Sequence, residues 1–547
     1  MLGLDNIGLI SRTAELAGIP FPTPDSDFID FEDEAVWNSM RKNNIGVFQM
    51  EGDRAGKLLS DMLSPETIRN IRSNEAGKDV KYMDLLSLVN AAQRPSGASY
   101  VDAVTHGRFK DNGHSALNKF LAPTLGNLVY QEQLIQFLVE FCGRSAGEAD
   151  VLRRAVGHKI KSVIDEEVPK IKEDFVKTMI NVYQDSQEHA ERIANDFIQV
   201  FMDAANYGFS INHSMAYSYI GYISTWLRYY YPLEWCTAAF QIWEGKQDKL
   251  NKVVKFAKEH DIELKPVKFR KSKGNYFLDK SEKFIYEGTA SIKGVNGSDG
   301  DELYLLRDKK YSTFTDLLLD IYDGNEVKHK YESTNVSADM NTVYNGLPEE
   351  KISMIDKSIA KSDGEYEQTV TKPIAIVSSH VINLIMLNFF EEFGKTKKLI
   401  QVYEFFKKNY KPNNKRLLGK CQKYKECLAY EKQLSNDAYP LSIQLQNELK
   451  LLGRCVTKAP STPGGYAFIT DVMQRSNKAV VKLYSIKKGV EVQCFVSMKD
   501  YKQSHLSKGN IIKINSLYKR PKMTKRNGTW IKTKTNELWL NSFAIAQ

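Results

Sequence analysis

The 547-residue sequence lacks any apolar run close to the roughly 20 residues that a membrane-spanning helix needs. Its best candidate, Val381–Phe390, is short and contains Asn383 and Asn388. No basic segment followed by an apolar core opens the chain, so we expect no signal peptide. Six cysteines are too few for a disulfide framework, and Cys421 and Cys427 have no histidine nearby. We therefore expect free thiols in a reducing cytoplasm.

Acidic residues are scarce in the C-terminal part of the chain. Residues 401–547 carry 28 basic and 9 acidic side chains, whereas the first 400 residues carry 48 and 58. A basic tail on an acidic body indicates a polyanionic partner for the tail, most often nucleic acid. A solvated lysine-rich surface has the same composition, so charge alone leaves both interpretations open.

Hydrophobic periodicity predicts helices over most of the first 245 residues. Apolar residues recur at helical spacing from Tyr130 to Phe141 and again over residues 193–201. A tyrosine-rich helix is predicted from Ser214 to Tyr230, and Pro232 should end or bend it. Between residues 322 and 372 polar side chains dominate, which predicts a partly mobile insertion.

From Gly464 the hydrophobic period changes to two, which predicts strands. The five predicted strands are Tyr466–Thr470, Ala479–Ile486, Val490–Val496, Ile511–Tyr518 and Leu538–Phe543. The strings Lys487–Gly489 and Asn527–Gly528 are hairpin turn signals. Five short strands suit a small barrel of the oligonucleotide-binding (OB) type.

Three basic residues form a candidate phosphate-binding group. Arg153 and Arg154 are adjacent and cannot share one helix face, so one can pair with a carboxylate while the other reaches into a cleft. With Lys159 they supply the fixed donors and positive charge that a triphosphate needs. An exposed basic helix end fits the same spacing.

A second candidate group lies around a glycine. Tyr207 could stack on a base or sugar, and His213 could donate to a phosphate. Gly208 would allow a sharp turn into the next helix, which Ser214 could cap. A helix–helix corner with a satisfied histidine is the alternative.

Taken in order, several strings resemble those of the C family of bacterial replicative DNA polymerases, the DNA polymerase III alpha subunit. The strings are Leu2–Ile7, Gly46–Glu51, Arg94–Pro95, Tyr130–Gln133, Leu152–Ala155, Gly157–Lys159 and Tyr207–Tyr217. The resemblance implies polymerase fingers over residues 1–245. It also implies that Arg153, Arg154 and Lys159 hold the dNTP phosphates, with Tyr207 and His213 near the nucleotide. Ile211 stands where the family has a lysine, which removes one positive charge.

Residues 286–297 and 388–399 are similar to the family's tandem helix-hairpin-helix units. The resemblance implies a DNA-binding region over residues 246–400, with a variable insertion near 322–372. Its turn residues Lys293, Gly294 and Gly297 would face DNA phosphate without reading sequence. Asn296 stands where a glycine is usual.

Residues 401–462 are predicted to be a basic helical linker. Within it, Gln401–Phe406 has the glutamine and aromatics of a clamp-binding peptide, or else continues an amphipathic helix. Residues 463–547 resemble the family's OB domain, which is thought to handle single-stranded template. The expected fold class is therefore mainly α, followed by a small all-β OB-fold barrel, in a multidomain chain.

The barrel carries candidate DNA contacts that combine positive charge with aromatic rings. We expect Trp530 either to stack on a base or to be an ordinary barrel residue. The basic candidates are Lys519, Arg520, Lys522, Lys525, Arg526, Lys532 and Lys534, next to Tyr518.

The resemblance implies a reaction whose metal ligands this sequence does not supply. C-family polymerases use two-metal phosphoryl transfer by palm aspartates, which precede the segment that corresponds to Met1–Leu4 here. We therefore expect no catalytic and no metal-binding residues in this chain, with Mg²⁺ bound by palm aspartates elsewhere. Asp25 and Asp27 follow that segment and are interpreted as loop carboxylates. Gly52–Lys57 lacks the spacing of a Walker loop.

The expected function is that of the C-terminal part of a split replicative DNA polymerase, inactive when isolated. Its expected partners are dNTPs, primer–template DNA, an N-terminal polypeptide that carries the PHP and palm domains, and a sliding clamp, with no membrane. The expected location is the cytoplasm of a bacterium or a phage-infected bacterium. The alternative is a non-catalytic DNA-binding replication accessory or a remnant polymerase fragment.

Overall fold

The computed structural model describes residues 4–205, 208–323, 325–332, 365–410, 417–526 and 529–546. The chain divides into two compact units, residues 1–261 and 262–547. The boundary between the units therefore lies beyond residue 245, where the fingers were predicted to end. The helix that follows that limit packs on unit 1, with the Phe256 ring 5.7 Å from the ring of Trp235.

Unit 1 is helical in its described part. Three short 3₁₀ turns, at Glu75–Gly77, Pro95–Ser99 and Ala122–Thr124, connect some of the helices. The α-helices are Leu4–Ala17 (α1), Glu34–Lys42 (α2), Asp53–Met62 (α3), Pro65–Ser73 (α4), Tyr82–Ala92 (α5), Val101–Thr105 (α6), Ser115–Phe120 (α7), Gln131–Cys142 (α8), Ala146–Gly157 (α9), Lys161–Asn181 (α10), Gln187–Ala205 (α11), Ile211–Tyr230 (α12), Pro232–Ile242 (α13) and Gln247–Glu259 (α14).

The helices α8 to α11 enclose an aromatic core. The Phe137 ring lies 5.7 Å from Phe141, 5.5 Å from Phe175, 4.9 Å from Phe197 and 5.6 Å from Phe201. All five side chains are buried. The helices predicted from Tyr130 and over residues 193–201 are therefore confirmed, because their apolar stripes face each other in this core.

The predicted tyrosine-rich helix is α12, and Pro232 ends it as expected by opening α13. Near its end Arg228 is fully buried, and no carboxylate in the described part of the chain pairs with it. Its guanidinium donates instead to the carbonyl oxygens of Ile45, Asn43 and Ser39, the last two at 2.6 and 3.4 Å. Ser39 and Asn43 lie at the C-terminal end of α2, where free carbonyls favour a cation. Burial lowers the pKa of Arg228 to about 9.

Unit 2 begins with a small sheet and helices. The α-helices are Gly297–Tyr304 (α15), Phe314–Asp323 (α16), Ser378–Met386 (α17), Thr396–Asn409 (α18), Leu417–Gln433 (α19), Leu441–Leu451 (α20) and Met498–Ser504 (α21). Strands Glu263–Lys265 (β1), Phe277–Asp279 (β2) and Phe284–Tyr286 (β3) form a sheet in the order β1-β3-β2. In the predicted insertion, Asn325–Glu332 (β4) and Glu365–Lys372 (β5) pair antiparallel, and residues 333–364 lie outside the described residues.

The segment predicted as a linker, residues 401–462, takes part in the core of unit 2. Tyr403, Phe406 and Cys427 are buried in the same cluster as Phe314 and Phe390. The helices α18 and α19 turn one apolar face inward, while their lysines Lys407, Lys408, Lys425 and Lys432 are exposed.

The C-terminal barrel is closed by five strands in the order β10-β8-β7-β6-β9. They are Tyr466–Gln474 (β6), Lys478–Ser485 (β7), Val490–Ser497 (β8), Ile511–Arg526 (β9) and Thr529–Ile545 (β10). This topology confirms the expected small β domain after a mainly α part and is consistent with an OB-type barrel.

The two hairpin signals of the barrel differ in how far the structure describes them. Gly489 closes the β7–β8 turn with φ of +66°, as glycine permits. Asn527–Gly528 lies outside the described residues, but the strands on either side of it pair antiparallel from Thr529 and Arg526 onward.

The sequence predicts free cysteine thiols and no membrane-spanning helix. Five cysteines are unpaired and buried, and burial raises the pKa of the Cys142 thiol to about 12. Among the helices described in the structure, none has the length and apolar character to span a bilayer.

We expect Arg228→Met to lower the free energy of unfolding of unit 1 by roughly 2–4 kcal/mol, because it leaves buried carbonyl oxygens without donors. Denaturant unfolding followed by tryptophan fluorescence will measure this, since the Trp235 ring lies 5.9 Å from the guanidinium. Arg69→Met, on an exposed position of α4, is the matched control and should change little. Equal stability of the two variants would contradict the role given to Arg228.

Candidate nucleotide and nucleic-acid sites

The start of α8 holds the turn that precedes α12. The Gln131 amide donates to the Phe209 carbonyl at 2.9 Å, and the Phe209 amide donates to the Val129 carbonyl at 3.0 Å. The Gln131 side chain also donates to the Gly208 carbonyl at 2.9 Å. A Cβ at residue 208 would lie 3.0 Å from Cγ of Gln131, so this close approach favours glycine.

The same glutamine side chain reaches the predicted phosphate-binding group. Nη1 of Arg153 donates to Oε1 of Gln131 at 3.2 Å, while Nε2 of Gln131 binds the Gly208 carbonyl. Gln131 thereby joins Arg153 to the glycine turn. Three strings that lie far apart in the sequence, 130–133, 152–155 and 207–217, meet at this one amide.

Both adjacent arginines pair with Asp150, one turn earlier on α9. Arg153 approaches Oδ1 at 2.8 Å and Arg154 approaches Oδ2 at 2.5 Å. The expectation that only one of them pairs with a carboxylate is wrong, because a single carboxylate offers an oxygen to each. The two guanidinium groups hold the pKa of Asp150 below its usual range.

The two arginines differ in access to solvent. The Arg153 side chain is 16% exposed and the Arg154 side chain 64% exposed, so Arg154 is the more available to a ligand. Lys159 is exposed two residues beyond the end of α9, in the left-handed region with φ of +53°. The three cations thus lie along the C-terminal part of α9 and the turn after it.

Glu132 caps the beginning of α12. Its carboxylate accepts from the Ser210 hydroxyl at 2.9 Å and from the Ile211 amide at 2.8 Å. A negative charge at a helix N-terminus is stabilised by the helix dipole and by free amides. The capping that the sequence assigned to Ser214 is performed here by Glu132, since Ser214 is buried within the helix and donates to the Ser87 carbonyl.

Aromatic contacts surround the glycine turn. The His213 ring lies edge-on to Phe209 at 5.5 Å and to Tyr217 at 4.3 Å, and it is exposed on the first turn of α12. The Arg94 guanidinium lies 4.1 Å from the Phe209 ring centroid. Tyr207, the other predicted nucleotide contact, lies outside the described residues.

The string Gly46–Glu51 packs on α12 rather than adding a further charged site. A Cβ at Gly46, whose φ is +77°, would lie 2.6 Å from Cζ2 of Trp235. The Phe48 ring lies 4.5 Å from the ring of Tyr217. Glu51 accepts from the Gly46 amide at 3.1 Å and pairs with Lys249 at 2.8 Å. This loop supports the helix that carries His213.

The first predicted hairpin forms a turn, and two of its amides, those of Lys293 and Asn296, donate to acceptors elsewhere in unit 2. Gly294 has φ of +76° and Gly297 is the first residue of α15. The Lys293 amide donates to the Leu451 carbonyl at 2.8 Å, while the lysine side chain is exposed. Contact of Lys293, Gly294 and Gly297 with DNA stays a prediction.

The barrel presents a basic two-stranded arm made of the distal parts of β9 and β10. Lys519, Arg520, Lys522 and Lys532 are exposed on it. Both strands extend well beyond their predicted limits and pair along their length, with irregularities near Lys532 and Asn536. The side chains of Lys525, Arg526, Trp530 and Lys534 lie outside the described ones.

An aromatic row that sequence analysis missed lies on the barrel side opposite its interior, with Phe495 and Trp539 buried and Tyr518 exposed. Trp539 lies 5.6 Å from Phe495 and 6.2 Å from Tyr518, measured between ring centroids. Lys478 lies 3.9 Å from the Phe495 centroid and Arg520 lies 5.4 Å from that of Trp539. The strand alternation could have found the row, because the neighbours of Trp539, at 538 and 540, belong to the barrel interior.

The described residues do not fit the Mg²⁺ that two-metal chemistry needs. Among them, no group of three or more His, Cys, Asp or Glu side chains could hold a metal ion. Asp25 and Asp27 are exposed on the turns before α2, where the sequence placed them as loop carboxylates.

Residues 9–181, about a third of the chain, match the family model of the bacterial DNA polymerase III alpha subunit finger domain. The helical unit that holds the arginine–glutamine junction is thus similar to polymerase fingers, and the predicted resemblance is confirmed.

Several curated relatives carry the name DNA polymerase III subunit alpha. The protein of Ureaplasma parvum is 28% identical over 280 residues, which are 50% of this chain and 26% of that protein. The Bacillus subtilis protein is 29% identical over 315 residues, 56% of this chain and 26% of the relative. The Deinococcus radiodurans protein is 31% identical over 275 residues, 50% and 19% respectively. The aligned part spans about a quarter or less of the relatives' length.

We expect Glu132→Ala to destabilise unit 1 by about 1–2 kcal/mol, because the first turn of α12 loses its acceptor. Amide hydrogen exchange over residues 208–214 should accelerate, and the melting temperature should fall. Glu140→Ala, at an exposed position of the same helix α8, is the control. Unchanged exchange at residues 208–214 would refute the capping role.

Proposed function

We propose that this chain is the fingers and C-terminal DNA-binding part of a split replicative DNA polymerase of the DNA polymerase III alpha type. The observation that carries the proposal is the junction at Gln131, which joins Arg153 of α9 to the Gly208 turn. A group that binds a nucleotide must hold its donors in fixed positions before the ligand arrives. The junction does this for Arg153.

In this proposal Arg153 and Arg154 bind the phosphates of the incoming dNTP, and Lys159 adds charge. Asp150 keeps both guanidinium groups in place in the absence of a ligand. A triphosphate carries more negative charge and more acceptor oxygens than one carboxylate, so it competes for donors that Asp150 holds. His213 and Tyr207 would lie near the base or sugar.

The phosphoryl-transfer step needs clustered carboxylates that bind metal, and no such group of three or more occurs among the described residues. We propose that Mg²⁺ is bound by palm aspartates of a separate polypeptide, which also carries the PHP domain. This chain then contributes nucleotide and DNA binding, and no metal ligand. The isolated chain is accordingly expected to be inactive.

The barrel is proposed to bind the single-stranded part of a primer–template. Its basic arm supplies charge for the phosphates, and the exposed ring of Tyr518, beside Trp539, supplies a face for base stacking. A sliding clamp is a further proposed partner. The proposed location is the cytoplasm of a bacterium, or of one infected by a phage.

A second candidate function is a non-catalytic DNA-binding accessory or remnant. The double pairing of Asp150 favours it, because both arginines already have a partner of opposite charge. Both candidates predict salt-dependent DNA binding. Nucleotide binding separates them, since only the polymerase requires it.

We expect Arg153→Ala to weaken dATP binding by the whole chain about 10- to 100-fold, the loss typical of charged hydrogen bonds. Isothermal titration calorimetry measures the dissociation constant, and Arg69→Ala controls for loss of one positive charge in unit 1. Equal binding by wild type and Arg153→Ala would remove Arg153 from the site. No binding by the wild type would favour the accessory function.

We expect the chain to extend a primed template only when mixed with a polypeptide that carries the C-family palm. Primer extension with Mg²⁺ and all four dNTPs tests this. Extension by the chain alone would refute the split enzyme. Lack of extension by a mixture that forms a stable complex would refute the polymerase assignment.

A further inference from the structure

The two hairpins of unit 2 contain the backbone amides that a DNA phosphate would use. Amides at a helix N-terminus bind phosphate when they have no acceptor of their own. The relevant helices are α15, after the first hairpin, and α18, after the second. The structure shows acceptors for several amides at each hairpin.

The first hairpin is occupied by a carboxylate and a carbonyl of the same chain. The Asn296 amide donates to Oδ2 of Asp299 at 3.1 Å, and Lys293 donates to the Leu451 carbonyl at 2.8 Å. Asp299 is buried, and its Oδ2 lies 2.6 Å from Nδ1 of His380. A fixed carboxylate therefore stands at the N-terminus of α15, where it repels a phosphate.

The second hairpin is occupied by the loop between α19 and α20. The Lys395 amide donates to Oδ1 of Asn436 at 2.8 Å. The amides of Lys397 and Lys398 both donate to the Asp437 carbonyl, at 3.1 and 3.2 Å. A Cβ at Gly394 would lie only 3.0 Å from the same Asn436 oxygen, so the loop sits directly against the turn.

The second hairpin carries charges of both signs. Glu391 pairs with Lys268, and Glu392 pairs with Arg270 at 2.9 Å. Lys395 and Lys397 are exposed on the same turn. The basic arm of the barrel differs in composition, because residues 519–537 hold seven basic residues and one acidic residue, Glu537.

We infer that both hairpins are closed by residues 436–451 and by Asp299, and that DNA engages unit 2 through the basic arm of the barrel. The inference rests on the proposed DNA binding. It reverses the expectation that the hairpin turns hold the DNA backbone. The amides of the hairpins fasten residues 436–451, which lead into the barrel.

Two double variants with equal loss of charge test which surface binds. Lys519→Ala with Lys522→Ala should weaken binding of a labelled primer–template several-fold and reduce the salt slope by about 1–2. Lys293→Ala with Lys395→Ala should leave affinity within twofold and the slope unchanged. Fluorescence anisotropy at several salt concentrations measures both. A hairpin variant that loses as much affinity as the arm variant would overturn the inference.

Amide hydrogen exchange tests whether the hairpin amides are bound to acceptors of the chain itself. This test does not depend on DNA binding. Peptides over residues 395–398 should exchange slowly in the free protein and should not change when primer–template is added. Asn436→Ala should accelerate exchange at Lys395 without changing DNA affinity. Fast exchange in the free protein, or protection that appears only with DNA, would overturn the inference. Failure of the wild type to bind DNA would count against the proposed function, while the exchange in the free protein still decides the occupancy.

Discussion

The contacts of two neighbouring residues at the start of α8 organise unit 1. Gln131 binds Arg153 with its carbonyl and the Gly208 turn with its amide group. Glu132 turns the other way and caps α12. Because consecutive helix residues point about 100° apart, one short string serves two neighbouring elements. Arg153 and the start of the α12 helix consequently share one support.

Near its C-terminal end α12 is held by a cation instead of an anion. Arg228 is buried against carbonyls at the end of α2, so a cation meets a helix C-terminus there, as Glu132 meets an N-terminus. Neither charge needs an oppositely charged side chain. The loop 46–51 packs on α12, with the Phe48 ring against that of Tyr217. It therefore helps to support the helix that carries His213.

Periodicity predicted the elements well where one face is buried, and poorly where neither is. The stripe of Leu134, Phe137, Leu138 and Phe141 marked α8 because it faces an aromatic core. The arm of the barrel escaped prediction beyond Tyr518 because residues 519–526 and 529–537 are mostly polar and do not alternate with period two. Residue types alone identified Arg153 and Arg154, yet their shared partner Asp150 depends on helix geometry. The acceptors at 436–451 are distant in sequence from the hairpins, so no local pattern could reveal them.

Positive charge has two different settings in the chain. At α9 the cations have a built-in counter-ion, Asp150, and a ligand must compete with it for donors. On the barrel arm, residues 519–537 hold seven basic residues and one acidic residue, so their field reaches outward. The first arrangement favours a small ligand with many phosphate oxygens in fixed geometry, and the second favours a long polyanion bound by charge. In the proposed function, discrimination between nucleotide and strand therefore follows from where the protein places its own carboxylates.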